Sequence, residues 1–140
     1  MLLYEKGVRR FYVGGALGVD MWAGEQLLNL KEQPGYEEIE IMIVLPFEGH
    51  DGGWDERSRK RMRILKQRCT ECLVIGKNNS QKNYIKRNCF MVDHSDYMVA
   101  VYDNERSLES GTMQAVDYAE QRGLYIVLIH PDTADVIQLI

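Results

Sequence analysis

Hydrophobic positions along this chain change period several times, and the changes mark out its elements. Arg9 to Gly15 ("RRFYVGG") is a short β-rich run ended by glycines. Residues 16–32 ("ALGVDMWAGEQLLNLKE") follow helical spacing, with Val19, Trp22, Ala23, Leu27 and Leu30 near one face. Pro34 and Gly35 break that helix. Ile39 to Phe47 ("IEIMIVLPF") is an apolar, β-branched strand, and "EGHDGGW" after it is a glycine-rich loop. From Asp55 a basic helix, "DERSRKRMRILKQRC", carries Met62, Ile64 and Leu65. Cys72 to Gly76 ("CLVIG") is strand-like, residues 82–95 ("KNYIKRNCFMVDHS") are helical, and Asp96 to Asp103 ("DYMVAVYD") is a strand. Residues 109–123 ("ESGTMQAVDYAEQRG") read as a cap, a helix and a terminal glycine, and Leu124 to His130 is the last strand, ended by Pro131.

Strand and helix thus alternate from end to end. Several strands are nearly unbroken apolar runs, as expected where helices cover both faces of a sheet. The pattern predicts an α/β fold: a doubly wound, mainly parallel Rossmann-like sheet of about five strands with helices on both faces. Ile39–Leu45, Cys72–Gly76, Tyr97–Tyr102 and Tyr125–Ile129 are its expected parallel strands, joined by Phe11–Val13. Neither an internal repeat nor a linker interrupts residues 1–140, which read as a single domain.

Composition narrows the class. At 140 residues, with 45% hydrophobic and 27% charged, the chain is long enough for a core without disulfides. A net charge of −4 argues against a large nucleic-acid footprint. Apolar runs fall short of a membrane span, and the charged N-terminus does not resemble a signal peptide, so a cytoplasmic location is expected. Cys69, Cys72 and Cys89 fit a reducing compartment. "CTEC" has the spacing of a redox motif, yet it closes a helix instead of opening one, and has no second pair or histidine beside it for a metal. Neither a metal nor a cofactor is expected.

In open α/β sheets, ligands bind beyond the carboxyl ends of the strands, which turns attention to the loops there. "VGGALGVD" places Gly14, Gly15 and Gly18 after a strand, with Asp20 in the first turn of the next helix. Glycines let a backbone approach a ligand closely, and the following N–H groups favour an anion. It lacks the spacing of a dinucleotide fingerprint and the Lys of a P-loop. A tight turn with Asp20 complementing the helix dipole explains the same residues. In "ESGTMQAVDYA", Ser110 can cap the helix and Thr112 can offer its hydroxyl, whereas Gly111 is not required by capping alone. Arg87, with Asn88 beside it, offers a fork to phosphate, against the plainer reading of a solvated basic face. The basic helix from Arg57 to Arg68 carries that plainer reading more strongly. Glu48, His50, Asp51 and Trp54 are loop residues placed to line a pocket, although His50 has no partner fixed by the sequence. His94 and His130 sit at element ends.

Taken in order, "GGALGVDMWAGE", "VLPFEGHDGGW", "RNCFMVDHSD", "VAVYD" and "SGT" resemble the YpsA-like family of the SLOG superfamily, which includes the LOG phosphoribohydrolases and DprA-type proteins. The resemblance runs from about Gly14 to Ile129. It implies a nucleotide-derived ligand held between the glycine-containing loops. Gly14, Gly15, Gly18 and Asp20 would form one wall, and Ser110, Gly111 and Thr112 the phosphate seat. Arg87 and Asn88 would approach from the side. The family begins with a strand ending in Thr-Gly-His-Arg that this sequence lacks; its loss would leave a strand edge unprotected, which predicts a homo-oligomer. LOG hydrolases carry a glutamate three residues after the threonine, where this chain has Ala115, which disfavours that hydrolysis. Two functions follow. One is a module that binds or senses a phosphorylated nucleoside or ADP-ribose-like ligand. The other is a hydrolase of a nucleotide's N-glycosidic bond using Asp20, Glu25 or Asp93, for which the residues supply no evident acid–base pair. A nucleic-acid partner is disfavoured, since no aromatic-plus-basic platform is present.

Overall fold

A computed structural model describes residues 2–101 and 111–139, with the backbone alone from 137 onward. The chain divides into two compact units, residues 1–79 and residues 80–140. The first holds α1 (Leu2–Glu5), β1 (Arg10–Val13), α2 (Val19–Lys31), β2 (Glu40–Phe47), α3 (Glu56–Arg68) and β3 (Glu71–Gly76). The second holds α4 (Gln81–Asp93), β4 (Tyr97–Val101), α5 (Gly111–Gln121), β5 (Tyr125–Ile129) and β6 (Val136–Leu139). This is an alternating, Rossmann-like α/β fold in which β1 to β5 make parallel pairs. Among the described residues the strands pair in the order β1-β2-β3 in the first unit and β4-β5-β6 in the second.

In the first unit β2 is the middle strand, paired with β1 (Val13 opposite Ile43) and with β3 (Leu45 opposite Val74). Every residue from Ile41 to Phe47 is buried, which accounts for its unbroken apolar run. Pro46 lies past the last residue that β1 pairs, where a missing N–H removes no bond on that side. Ile39, Ile41, Ile43 and Leu45 alternate onto one face and pack with Val13, Met21, Leu28, Met62 and Leu65.

The face of α2 differs from the one its spacing suggests. Met21, Gly24 and Leu28 are buried, Ala23, Leu27 and Leu30 pack half-buried against the core, and Val19 and Trp22 are exposed. Gly24 is the reason: a Cβ there would stand 3.0 Å from Leu65 Cδ2. The bare backbone lets Leu65 of α3 seat on α2 and turns this side of the helix inward. Asp55 caps α3, accepting from the Ser58 N–H at 2.9 Å and the Ser58 hydroxyl at 2.8 Å. Those bonds hold the Asp55 carboxyl below its ordinary pKa.

In the second unit Ser80 caps α4 through the Asn83 N–H. Val92, Ala100, Val116, Ala119, Leu124, Ile126 and Leu128 form the core. β6 is an element the sequence reading stops short of. It pairs antiparallel with β5, Val136 opposite Ile129. His130 makes the reversal: its Nδ1 accepts from the N–H groups of Asp132 (3.1 Å) and Thr133 (3.3 Å), and Ala134 sits at φ 60°.

Candidate functional site

The first glycine loop lies at the carboxyl end of β1, and the "EGHDGGW" loop at that of its neighbour β2. Gly14 and Gly15 are buried, and Gly15 adopts φ 69°. An added Cβ at Gly15 would lie 2.7 Å from Leu45 Cδ2, so the chain can pass over the core only without a side chain. Gly18 stands at the N-cap of α2 with φ 86° and supplies no side-chain cap. Asp20, in the first turn, accepts from the Ala16 N–H at 3.4 Å, bracing the loop from within. His50 Nε2 lies 2.9 Å from the Gly15 carbonyl oxygen and donates to it, and the imidazole meets Trp54 edge-on at 5.1 Å. A histidine to which the sequence assigns no partner therefore ties the two loops together. Only the pairing of β1 with β2 reveals this, since the partners are 35 residues apart.

The second candidate lies where α4 runs beside the start of α5. Arg87 is 94% buried by a relative exposure of 6%. Its Nε donates to Asn88 Oδ1 at 2.9 Å, and its guanidinium lies 5.7 Å from the Tyr84 ring centre. Asn88 Nδ2 donates to Gln114 Oε1 at 3.2 Å and approaches the Gly111 carbonyl at 3.5 Å. Arg87 and Asn88 are thus gathered with the first turn of α5, where Gly111 and Thr112 are exposed. Ser110, the expected cap, lies outside the described residues. Gln114 belongs to this cluster although the sequence gives no signal for it beyond its place one turn into the helix.

Of the three carboxylates that would serve a hydrolase, Asp20 braces the first glycine loop, and the other two are engaged elsewhere. Glu25 takes a two-pronged bond from Arg61, at 3.1 Å from Nε and 2.5 Å from Nη2, and this partner lowers its pKa. Glu32 pairs with Arg68 two turns further along both helices. The basic α3 is therefore laced to α2, and the open groove of about 280 Å³ between them has its charges matched internally. Asp93, at the far end of α4, accepts from the Tyr118 hydroxyl at 2.8 Å and pairs with Arg122 at 3.3 Å. It faces the last turns of α5 instead of the first. Ala115 is buried. Cys69 closes α3 and Cys72 stands in β3, as the spacing suggests. Burial raises the pKa of the half-buried Cys69 thiol, and local desolvation raises that of Cys72 although its residue is exposed, the opposite of an activated pair.

Alternating strands and helices, with glycine-bearing turns at the carboxyl ends of parallel strands, define a Rossmann-like α/β protein. The chain belongs to the YpsA family of the SLOG superfamily: the profile described as "YspA SLOG family" matches residues 1–134. Membership implies nucleotide-related ligand binding in general terms. Among curated relatives, a UPF0398 protein of Staphylococcus epidermidis is 26% identical over 106 residues, covering 74% of this chain and 55% of its own. One from Shouchella clausii is 29% identical, with 73% and 55% covered, and one from Bacillus velezensis 25%, with 84% and 64% covered. The chain spans about half the length of the first of these relatives. Among the described residues, no helix is long and apolar enough to cross a membrane.

Proposed function

We propose that this protein binds a nucleotide-derived ligand, a phosphorylated nucleoside or an ADP-ribose-like molecule, and acts as a binding or sensing module. The observation that carries this reading is the buried Arg87, which shares a hydrogen-bonded cluster with Asn88 and the first turn of α5. A guanidinium beside a helix N-terminus pairs the two groups that favour phosphate. Ser110, Gly111 and Thr112 are the proposed seat. Gly14, Gly15, Gly18 and Asp20 are proposed as backbone-lined contacts in the first unit, supported by the open turn at Gly18. Hydrolysis of the N-glycosidic bond is the weaker reading, because Glu25 and Asp93 are held in ion pairs away from these loops.

Calorimetric titration with AMP, ADP and ADP-ribose tests the proposal. At least one is expected to bind, and Arg87→Ala is expected to weaken that binding by about 1.5–3 kcal/mol. Binding of none of the three would sink it. Free base released during the titration would instead favour the hydrolase.

Self-association belongs to the same proposal. Leu17, Val19 and Trp22, around the start of α2, are 48%, 48% and 59% exposed, an apolar group that a second copy would cover. Light scattering at micromolar concentration is expected to give at least the dimer mass, and a monomer throughout would count against it.

A further inference from the structure

The hydrogen bonds of Asn88 give it a task within the protein itself. A side-chain amide offers two N–H donors and an oxygen acceptor. Here Oδ1 accepts from Arg87 Nε at 2.9 Å, while Nδ2 serves Gln114 Oε1 at 3.2 Å and the Gly111 carbonyl at 3.5 Å. Flipping the amide would set a donor against the Arg87 donor and an oxygen against the Gly111 oxygen, so the neighbours select one orientation. Both donors are thereby directed at protein acceptors. What the amide can still offer is a lone pair, which repels a phosphate oxygen. Gln114 carries the sequence of bonds onward, its Nε2 donating to Cys89 Sγ at 3.9 Å. The bonds run one way, from Arg87 through Asn88 and Gln114 back to α4.

We infer that Asn88 and Gln114 are positioning residues, an amide relay that holds the Arg87 guanidinium and the first turn of α5 in one geometry for a phosphate-bearing ligand. This rests on the proposed nucleotide binding. The physical gain is preorganisation: an arginine side chain has many rotamers, and a bond donated by its Nε to a fixed amide oxygen removes that freedom before the ligand arrives. The same amide fixes the spacing between α4 and the Gly111 turn, so guanidinium and helix N–H groups would meet an anion together.

Binding of the tightest of AMP, ADP and ADP-ribose is measured for wild type, Asn88→Ala, Gln114→Ala, Arg87→Ala and the two double variants with Arg87→Ala. Asn88→Ala is expected to weaken binding about tenfold and Gln114→Ala about threefold. In the Arg87→Ala background both effects are expected to fall below about twofold, because the larger part of the relay's action passes through that guanidinium. A residue touching the ligand itself would instead add its loss to that of Arg87→Ala, and additivity overturns the inference. Unchanged affinity in both single variants, with wild type binding, also overturns it and leaves nucleotide binding standing. Failure of wild type to bind any of the three removes both. Thermal melting accompanies each titration; if Asn88→Ala does not fold, Gln114→Ala, on the neighbouring helix, carries the same comparison.

Discussion

Gly15→Val is expected to destabilise the protein by about 2–5 kcal/mol, the largest stability loss among the glycine positions of the first loop. Two separate effects act at this residue. A β-branched side chain at φ 69° enters the left-handed region against its own sterics, roughly 1–2 kcal/mol. Its Cβ would also stand 2.7 Å from Leu45 Cδ2 and 3.4 Å from Ile43 Cγ2. Leu45 and Ile43 are fully buried in the packed face of β2, so their side chains must shift within that packing, and overpacking of this kind typically adds about 1–3 kcal/mol. The new methyls would further crowd His50 Nε2, 3.6 Å from the ideal Cβ, and strain its bond to the Gly15 carbonyl. Gly18→Ala is the internal comparison. Gly18 has φ 86° but nothing within 4 Å of an added Cβ, so only the backbone term applies, about 1–2 kcal/mol. Urea midpoints measure both. Equal midpoints for the two variants would mean that Leu45 gives way and that the loop does not rest on the core as described.

What the sequence made legible follows from how local each signal is. The unbroken run of β2 announced a strand covered on both faces, and Ile41 to Phe47 are buried as that requires. Pro34 and Gly35 after α2, Gly123 after α5 and Pro131 after β5 marked those ends to within about three residues. What escaped notice depended on contacts across the chain. The buried side of α2 was set by the fit of Leu65 against Gly24, and no periodicity in α2 alone contains that partner. β6 follows a turn built on His130 Nδ1, a histidine acting as an acceptor that a turn propensity does not weigh. The role of His50 needed the adjacency of β1 and β2, and that of Gln114 needed α4 lying beside α5. Motifs named the loops; pairing and packing decided which side chains hold them.

Those packing details make Gly111 the sharpest point at which to test the phosphate seat. Gly111→Val is expected to lower affinity for the tightest of AMP, ADP and ADP-ribose by at least about a hundredfold, with stability changed by less than about 0.5 kcal/mol. The affinity estimate rests on charge-assisted bonds from the N–H groups of Gly111 and Thr112, each about 1.5–3 kcal/mol, which a valine side chain beside them would obstruct. The stability estimate rests on space. Among the described residues nothing lies within 4 Å of an added Cβ at Gly111, which is exposed at the first position of α5. Valine can therefore occupy the first position of α5 without displacing a described neighbour, unlike the valine at Gly15. The pair of variants separates the two uses of glycine in this chain, one for fitting backbone over a core and one for leaving a helix start uncovered. Calorimetric titration and a urea midpoint on the same sample give both readouts. A valine variant that binds as wild type does would show that the helix start is an ordinary turn. One that loses stability without losing affinity would place the importance of Gly111 in folding. Only loss of binding with an unmoved midpoint is what an anion seat requires.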